Sequence, residues 1–455
     1  MKPLHLFSTL LASAVLSDAA PTDILLPTDD DHAAAACTNG PDSRQCWGDF
    51  SVDTNWYTTF PDTGVVREYW LSAENTDCFP DGYKRTCMTF NGSIPGPSIF
   101  ANWGDDLVIH VTNNLIANGT AIHWHGLRQL NNVENDGVPG VTQCPIAPGD
   151  TMTYKFKATQ YGSTWYHSHF TLQYAEGLYG PLIINGPATA SYDEDLGPLF
   201  LQDWSHTEIF TLWDQAQFGV RPTLENGLIN GTNTFNCKGS KDPMCMGDGG
   251  NKFTAVFRPG KRYLIRVFNV AVEGLFQFSI DGHKLKVIAS DLVPIKPYDT
   301  DSVLIATGQR YDIVVEANAK PGNYWLRAGW VGACAVNLNP DDMTAIVRYD
   351  ANSKENPTSQ STVAGATSCI DEPIANLVPQ VPIDVKDMPI WTQENLGFTN
   401  NTLFHWTINS TALLIDWDKP TLQKVLNSEP VFPTEYNVVA VDVSRVSLAA
   451  EVIPN

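Results

Sequence analysis

Two short runs hold the residues best able to do chemistry: His123-Trp124-His125-Gly126 and Trp165-Tyr166-His167-Ser168-His169. Each contains a His-x-His pair. On a β-strand, residues two apart point to the same face, so each run projects two imidazoles in one direction. Two such strands side by side would gather four nitrogen donors. Imidazole is the commonest metal ligand and suits copper, zinc, iron and nickel. One His-x-His pair is a weak signal; two pairs in one domain, flanked by aromatic residues, make a metal site the expectation. Spacing does not choose the metal, and four histidines would suit zinc.

The remaining sequence must supply strands to hold those runs. Runs such as Leu107-Val108-Ile109-His110-Val111 and Tyr311-Asp312-Ile313-Val314-Val315 are strand-like and bounded by turn formers. The chain has 33 glycines and 30 prolines, enough for many turns, and no long stretch has a helical period. The expected fold is therefore all-β. Gly162-Ser163-Thr164-Trp165-Tyr166-His167-Ser168-His169 aligns with Gly322-Asn323-Tyr324-Trp325-Leu326-Arg327-Ala328-Gly329, which predicts two similar sandwich domains. In the second copy Arg327 and Gly329 replace both histidines, so the scaffold repeats and the site does not. Asn91-Gly92, Asn230-Gly231 and Asn409-Ser410 form a second recurring marker and announce a third domain. The predicted divisions are a signal peptide at 1–20, domains at 37–188 and 189–350, a linker at 351–385 and a partial third domain at 386–455.

Composition narrows the function classes. The 455 residues are 43% hydrophobic and 17% charged, as in a folded protein of two or three domains. The formal charge of −22 argues against nucleic acid or an anionic membrane as partner. Lys2, the apolar stretch from Leu4 to Leu16 and the small residues Ser17 and Ala19 read as a secretory leader, too short to span a membrane. Sequons at Asn91, Asn118, Asn230, Asn400 and Asn409 fit an extracellular protein. Nine cysteines should pair there: Cys37 with Cys46, Cys78 with Cys87, Cys237 with Cys245, Cys334 with Cys369, leaving Cys144 over. His110, His206, His283 and His405 stand alone and read as structural.

The two histidine runs, with Gly119-Thr120-Ala121-Ile122, Gln160-Tyr161-Gly162, Cys46-Trp47, Pro61-Asp62-Thr63-Gly64-Val65-Val66-Arg67, Ile183-Ile184-Asn185-Gly186-Pro187 and Gly308-Gln309-Arg310-Tyr311-Asp312, resemble the multicopper oxidases, specifically the ascomycete-type fungal laccases. The resemblance covers Cys37 to about Asp442. It implies tandem cupredoxin-like Greek-key sandwiches, copper as cofactor (four ions in intact members), phenols and O₂ as reactants, a monomer and secretion. It assigns His123 to a type 2 copper and His125, His167 and His169 to a type 3 pair. It places Asp136 near the cluster for proton delivery and Glu225 against the phenol.

The chain also departs from the family pattern. The motifs HPxHxHG and HCH have no counterpart here, so the resemblance implies a chain lacking the type 1 copper site and half of the cluster ligands. At most a partial cluster and a doubtful activity are then expected. Cys144 would lack its carboxy-terminal partner. The match fades after Asp442, where Val443-Ser444 can be encoded as a splice donor; we hypothesise an unspliced intron, which a mature transcript still encoding residues 445–455 would refute. Two alternatives stand beside the laccase reading: a non-catalytic secreted copper-binding protein, and an oxidase of ascorbate or ferrous iron.

Overall fold

The structure is a computed structural model that describes residues 38–383, 396–400, 404–408 and 415–427. The leader, Cys37, Asn409 and the 443–455 tail lie outside these residues. No helix among them is long and apolar enough to cross a membrane.

A short hairpin, β1 (Cys46–Trp47) and β2 (Phe50–Ser51), opens the described chain. Eight strands follow: β3 (Val66–Cys78), β4 (Arg85–Phe90), β5 (Ile99–Asn102), β6 (Asp106–Asn114), β7 (Ile122–Trp124), β8 (Thr151–Lys157), β9 (Gly162–Ser168) and β10 (Tyr179–Asn185). They form two four-stranded sheets, β4-β3-β6-β8 and β5-β10-β9-β7. Alternate residues of both sheets, among them Leu107, Ile109, Trp124, Tyr154, Phe156, Tyr166 and Leu182, share one apolar core. Each such side chain removed from water contributes about 1.5–3 kcal/mol, which makes the sandwich the stable arrangement for amphipathic strands.

The second sandwich repeats this plan. It comprises β11 (Glu194–Trp204), the helix α1 (Ile209–Gln217), β12 (Asn226–Ile229), β13 (Thr254–Val256), β14 (Arg262–Asn269), β15 (Phe276–Ile280), β16 (Leu285–Ser290), β17 (Val293–Thr300), β18 (Val303–Ile305), β19 (Arg310–Glu316), β20 (Asn323–Trp330) and β21 (Thr344–Arg348). Its sheets are β12-β11-β14-β19-β16-β17 and β13-β21-β20-β15-β18. The parallel pairs β3–β6 and β5–β10 of the first sandwich have counterparts in β11–β14 and β13–β21. The aligned runs fall on β9 and β20. No long stretch of the sequence has a helical period, and the helix α1 is short, nine residues that bury Ile209 and Leu212.

The repeat also explains what replaced the histidines. His123 lies opposite His167 in the β7–β9 ladder, and Ser279 lies opposite Arg327 in β15–β20. The N–H of His125 donates to Trp165 O at 3.0 Å, and that of Asp281 donates to Trp325 O at 2.9 Å. Asp281 therefore stands where His125 stands in the first sandwich. It receives both Nε and Nη2 of Arg327 at 2.8 Å, and Ser359 Oγ at 2.7 Å. An ion pair fills the place of the imidazoles.

Trp165, Tyr179 and Ile183 pack on Phe200, Phe268 and Val270 across the seam between the sandwiches. Residues 351–383 are not a free tether. Glu372 accepts Tyr298 Oη at 3.0 Å and Leu304 N at 3.2 Å, and a Cys334–Cys369 disulfide fastens the segment to the loop after β20. Cys78–Cys87 and Cys237–Cys245 are also bonded, Cys46 is in a disulfide, and Cys144 is free and exposed. Beyond lie the antiparallel pair β22 (Leu396–Asn400) and β23 (Phe404–Ile408), then α2 (Thr421–Leu426). The N–H groups of Thr421 and Leu422 donate to Gly140 O and Val141 O at 3.1 and 2.8 Å, docking this helix on the first sandwich.

Candidate metal centre

β7 and β9 bring all four predicted histidines together. Alternation turns Trp124 and Tyr166 into the core, both fully buried, and leaves His123, His125, Trp165, His167 and His169 on the opposite face. The N–H of His169 donates to Ala121 O at 2.8 Å, which continues the ladder past the strand end. The His123 ring centroid lies 5.8, 5.5 and 5.4 Å from those of His125, His167 and His169. Ligand nitrogens of His123, His125 and His167 all fall within 4.8 Å of one another.

Hydrogen bonds fix which nitrogen faces inward. His123 Nδ1 lies 2.7 Å from Asp136 O and His167 Nδ1 lies 2.9 Å from Ser168 O; since a carbonyl only accepts, both Nδ1 atoms carry the proton. Both Nε2 atoms are then lone-pair donors. His125 turns the other way, with Nδ1 3.2 Å from His167 Nε2. Burial holds His125 well below the ordinary imidazole pKa, with Arg310 and the other histidines adding to it. Burial, with His123 and His169 close by, does the same for His167. Both rings are therefore neutral at physiological pH, the form that ligates. This donor set fits copper or another borderline metal.

Asp136 lies beside the cluster. Its Oδ1 is 3.4 Å from His123 Nδ1, on the loop whose carbonyl orients that ring. Gly137 makes the approach possible: a Cβ there would lie 1.8 Å from Ile122 O, and its φ is +83°. Glu225 is engaged elsewhere, at the start of β12. Its Oε2 accepts the N–H of His206 at 3.0 Å, and His206 Nε2 in turn meets the buried Asp81 at 2.8 Å. The isolated histidines have structural partners: His110 pairs with Glu68 and Thr153, and His283 with Tyr349. The side chain of His405 lies outside the description. Trp204 is buried beneath Arg85, whereas Trp213 is exposed.

Three neighbours of the cluster were given no role in the sequence reading. Trp165 stacks on His125 and on His167, with centroids 4.9 and 4.1 Å apart. Gly308 and Arg310 reach the cluster from the second sandwich. A Cβ on Gly308 would lie 3.1 Å from His125 Cε1, and one on Gly126 would lie 2.8 Å from Arg310 Nη2. Arg310 is buried and anchored by Asp291, Ser163 O and Gly308 O. The Gly308–Asp312 run was visible as a family match, but it carried no role.

Comparison with known proteins agrees with this geometry. Residues 72–189 and 195–352 match two multicopper oxidase family models. Laccase-2 of Botryotinia fuckeliana is 58% identical over 408 residues, which are 90% of this chain and 70% of that protein. Laccase-1 of the same fungus is 52% identical over 439 residues, 96% and 75% of the two chains. The crystal structure of the laccase from Botrytis aclada, 58% identical, superposes with a TM-score of 0.86 over 89% of this chain and 74% of that one. The chain belongs to the multicopper oxidase family. Both sandwiches are cupredoxin-like domains, and copper is the cofactor. Within the family it is a laccase-like oxidoreductase.

Proposed function

We propose that this protein is a secreted, monomeric protein of the laccase type, whose intact members remove single electrons from diphenols and related aromatics and pass them to O₂, that this chain holds a partial copper cluster on half of the cluster ligands, and that neither nucleic acid nor membrane is its partner. Four such oxidations supply the four electrons that, with four protons, convert O₂ to two waters. The observation that carries the reading is the convergence of His123, His125, His167 and His169 on one face of β7 and β9. These four residues would hold copper, which when bound supplies one-electron transfer and oxygen reduction.

The chain's own groups do the rest. Asp136 O and Ser168 O hold His123 and His167 in the tautomer that presents Nε2, as outer partners of metal-binding histidines do. The Asp136 carboxylate, beside His123 at the edge of the cluster, delivers protons to oxygen. Trp165 shields two of the rings from water. Glu225 contacts the phenol from the second sandwich, and its carboxylate is held by the His206 N–H.

The test is the copper retained after dialysis, with O₂ uptake on 2,6-dimethoxyphenol measured alongside, for the secreted protein and its His167→Ala and Asp136→Asn variants. We expect the parent chain to retain copper, His167→Ala to retain much less, and Asp136→Asn to retain it while any uptake falls about 10²–10⁴-fold, the range for a lost proton-transfer group. Copper retention unchanged by His167→Ala would contradict the assignment.

A further inference from the structure

Two sequons are built alike. Asn91 opens the turn after β4 and Asn230 the turn after β12, both with a φ of 50°. The Asn91 N–H donates to Ser72 O at 2.9 Å while its Oδ1 accepts Ser72 N at 2.6 Å. The Asn230 N–H donates to Phe200 O at 2.9 Å while its Oδ1 accepts Phe200 N at 2.8 Å. Each carboxamide thus acts as one more rung on the neighbouring strand. Their Nδ2 atoms donate to Trp70 O at 3.3 Å and to Pro198 O at 3.0 Å.

The surroundings differ. The Asn230 turn is pressed into the seam between the sandwiches: a Cβ on Gly231 would lie 2.2 Å from Ile94 O and 3.0 Å from Pro95 Cδ. Asn91 is exposed, and nothing lies within 4 Å of a Cβ on Gly92. Beside it Trp70 leaves 63% of its surface in water, its ring stacked on His110 at 5.2 Å. The pairing of β4 with β3 begins only at Ala73, so Asn91 is the last rung next to Trp70.

We propose that Asn91 carries an N-linked glycan, that Asn230 does not, and that the first sugar at Asn91 lies over Trp70. The proposal rests on the reading of the chain as secreted. In the modification, Asn91 Nδ2 bonds to the anomeric carbon of N-acetylglucosamine, the lipid diphosphate of the sugar donor leaves, and one amide proton is lost. The N–H that remains continues to donate to Trp70 O. A bulky glycan fits an open surface turn and has no room in a packed seam.

Peptide mass mapping of the secreted protein, deglycosylated enzymatically in ¹⁸O-water, reads each sequon separately. We expect the ¹⁸O-aspartate mark at position 91 and unmodified asparagine at position 230. A bare Asn91, or a marked position 230 in folded protein, overturns the assignment. The same chain behind the host's own leader is run in parallel: secretion only in that form refutes the secretion reading without touching the assignment. For the contact, the glycan-stripped protein should melt about 2–4 °C below the native form, and Trp70→Ala should remove most of that difference. An undiminished difference in Trp70→Ala rejects the contact with Trp70.

Discussion

Gly308→Ala tests whether the second sandwich positions a ligand in the first. Gly308 has a φ of +83°, where an L-residue costs about 1–2 kcal/mol. The new Cβ would stand 3.1 Å from His125 Cε1 and 3.2 Å from Nε2, so the ring must give by a few tenths of an ångström. It has little room to do so. Trp165 is stacked on it, and its Nδ1 already lies 3.2 Å from His167 Nε2. A ligand set needs placement within about 0.5 Å, so the shift uses most of the tolerance. We expect copper affinity to fall about tenfold, equal to about 1.4 kcal/mol. The assay is Cu²⁺ titration of the purified chain against a chromophoric chelator, with circular dichroism to show that the variant is folded. Gly365→Ala, where nothing lies within 4 Å of the new Cβ, is the control. Wild-type affinity in a folded Gly308→Ala protein would refute the reasoning.

Other consequences can be measured on stability alone. Arg327→Leu leaves the Asp281 carboxylate buried with only Ser359 beside it; because Arg327 is itself partly exposed, the expected loss is about 2 kcal/mol in urea melts, partly restored by adding Asp281→Asn. Burial holds the pKa of His283 below its usual value, so neutral His283 stabilises the fold fully above about pH 6.5, and that contribution is lost as pH falls through the lower folded value. His283→Gln should flatten the decline in melting temperature between pH 7 and pH 4.5, and an unchanged slope would remove His283 from the account. The Cys334–Cys369 bond closes a loop of sequence separation 35, so the double serine variant should lose about 4 kcal/mol on the chain-entropy estimate, read from the midpoint of chemical unfolding.

What could be read from sequence is what depends on local periodicity. The pairing of His123 with His125 and of His167 with His169 follows from strand alternation, which needs no knowledge of the rest of the fold. The repeat was legible because Trp165 and Trp325 keep one place in two copies of one sandwich. The cysteine partners in the described residues were close in the chain and therefore easy to pair. What stayed hidden rests on contacts between distant segments. Asp281 as the partner of Arg327, Gly308 against His125, and Ser163 hydrogen-bonded to both Arg266 and Asp312 each join separate strands. The predicted linker shows the same limit. Its composition is that of a loose segment; the Cys334–Cys369 pairing showed that it is tethered, and the side-chain bonds of Glu372 and Ser359 reveal that it is laid against the second sandwich.

The central claim is that these four histidines form a copper site. The most direct measurement is metal analysis of the 455-residue chain dialysed against excess Cu²⁺, compared with His123→Ala, His125→Ala, His167→Ala and His169→Ala. The account predicts that the wild-type chain retains copper and that each variant, still folded, retains much less. Equal copper in all five proteins would contradict it.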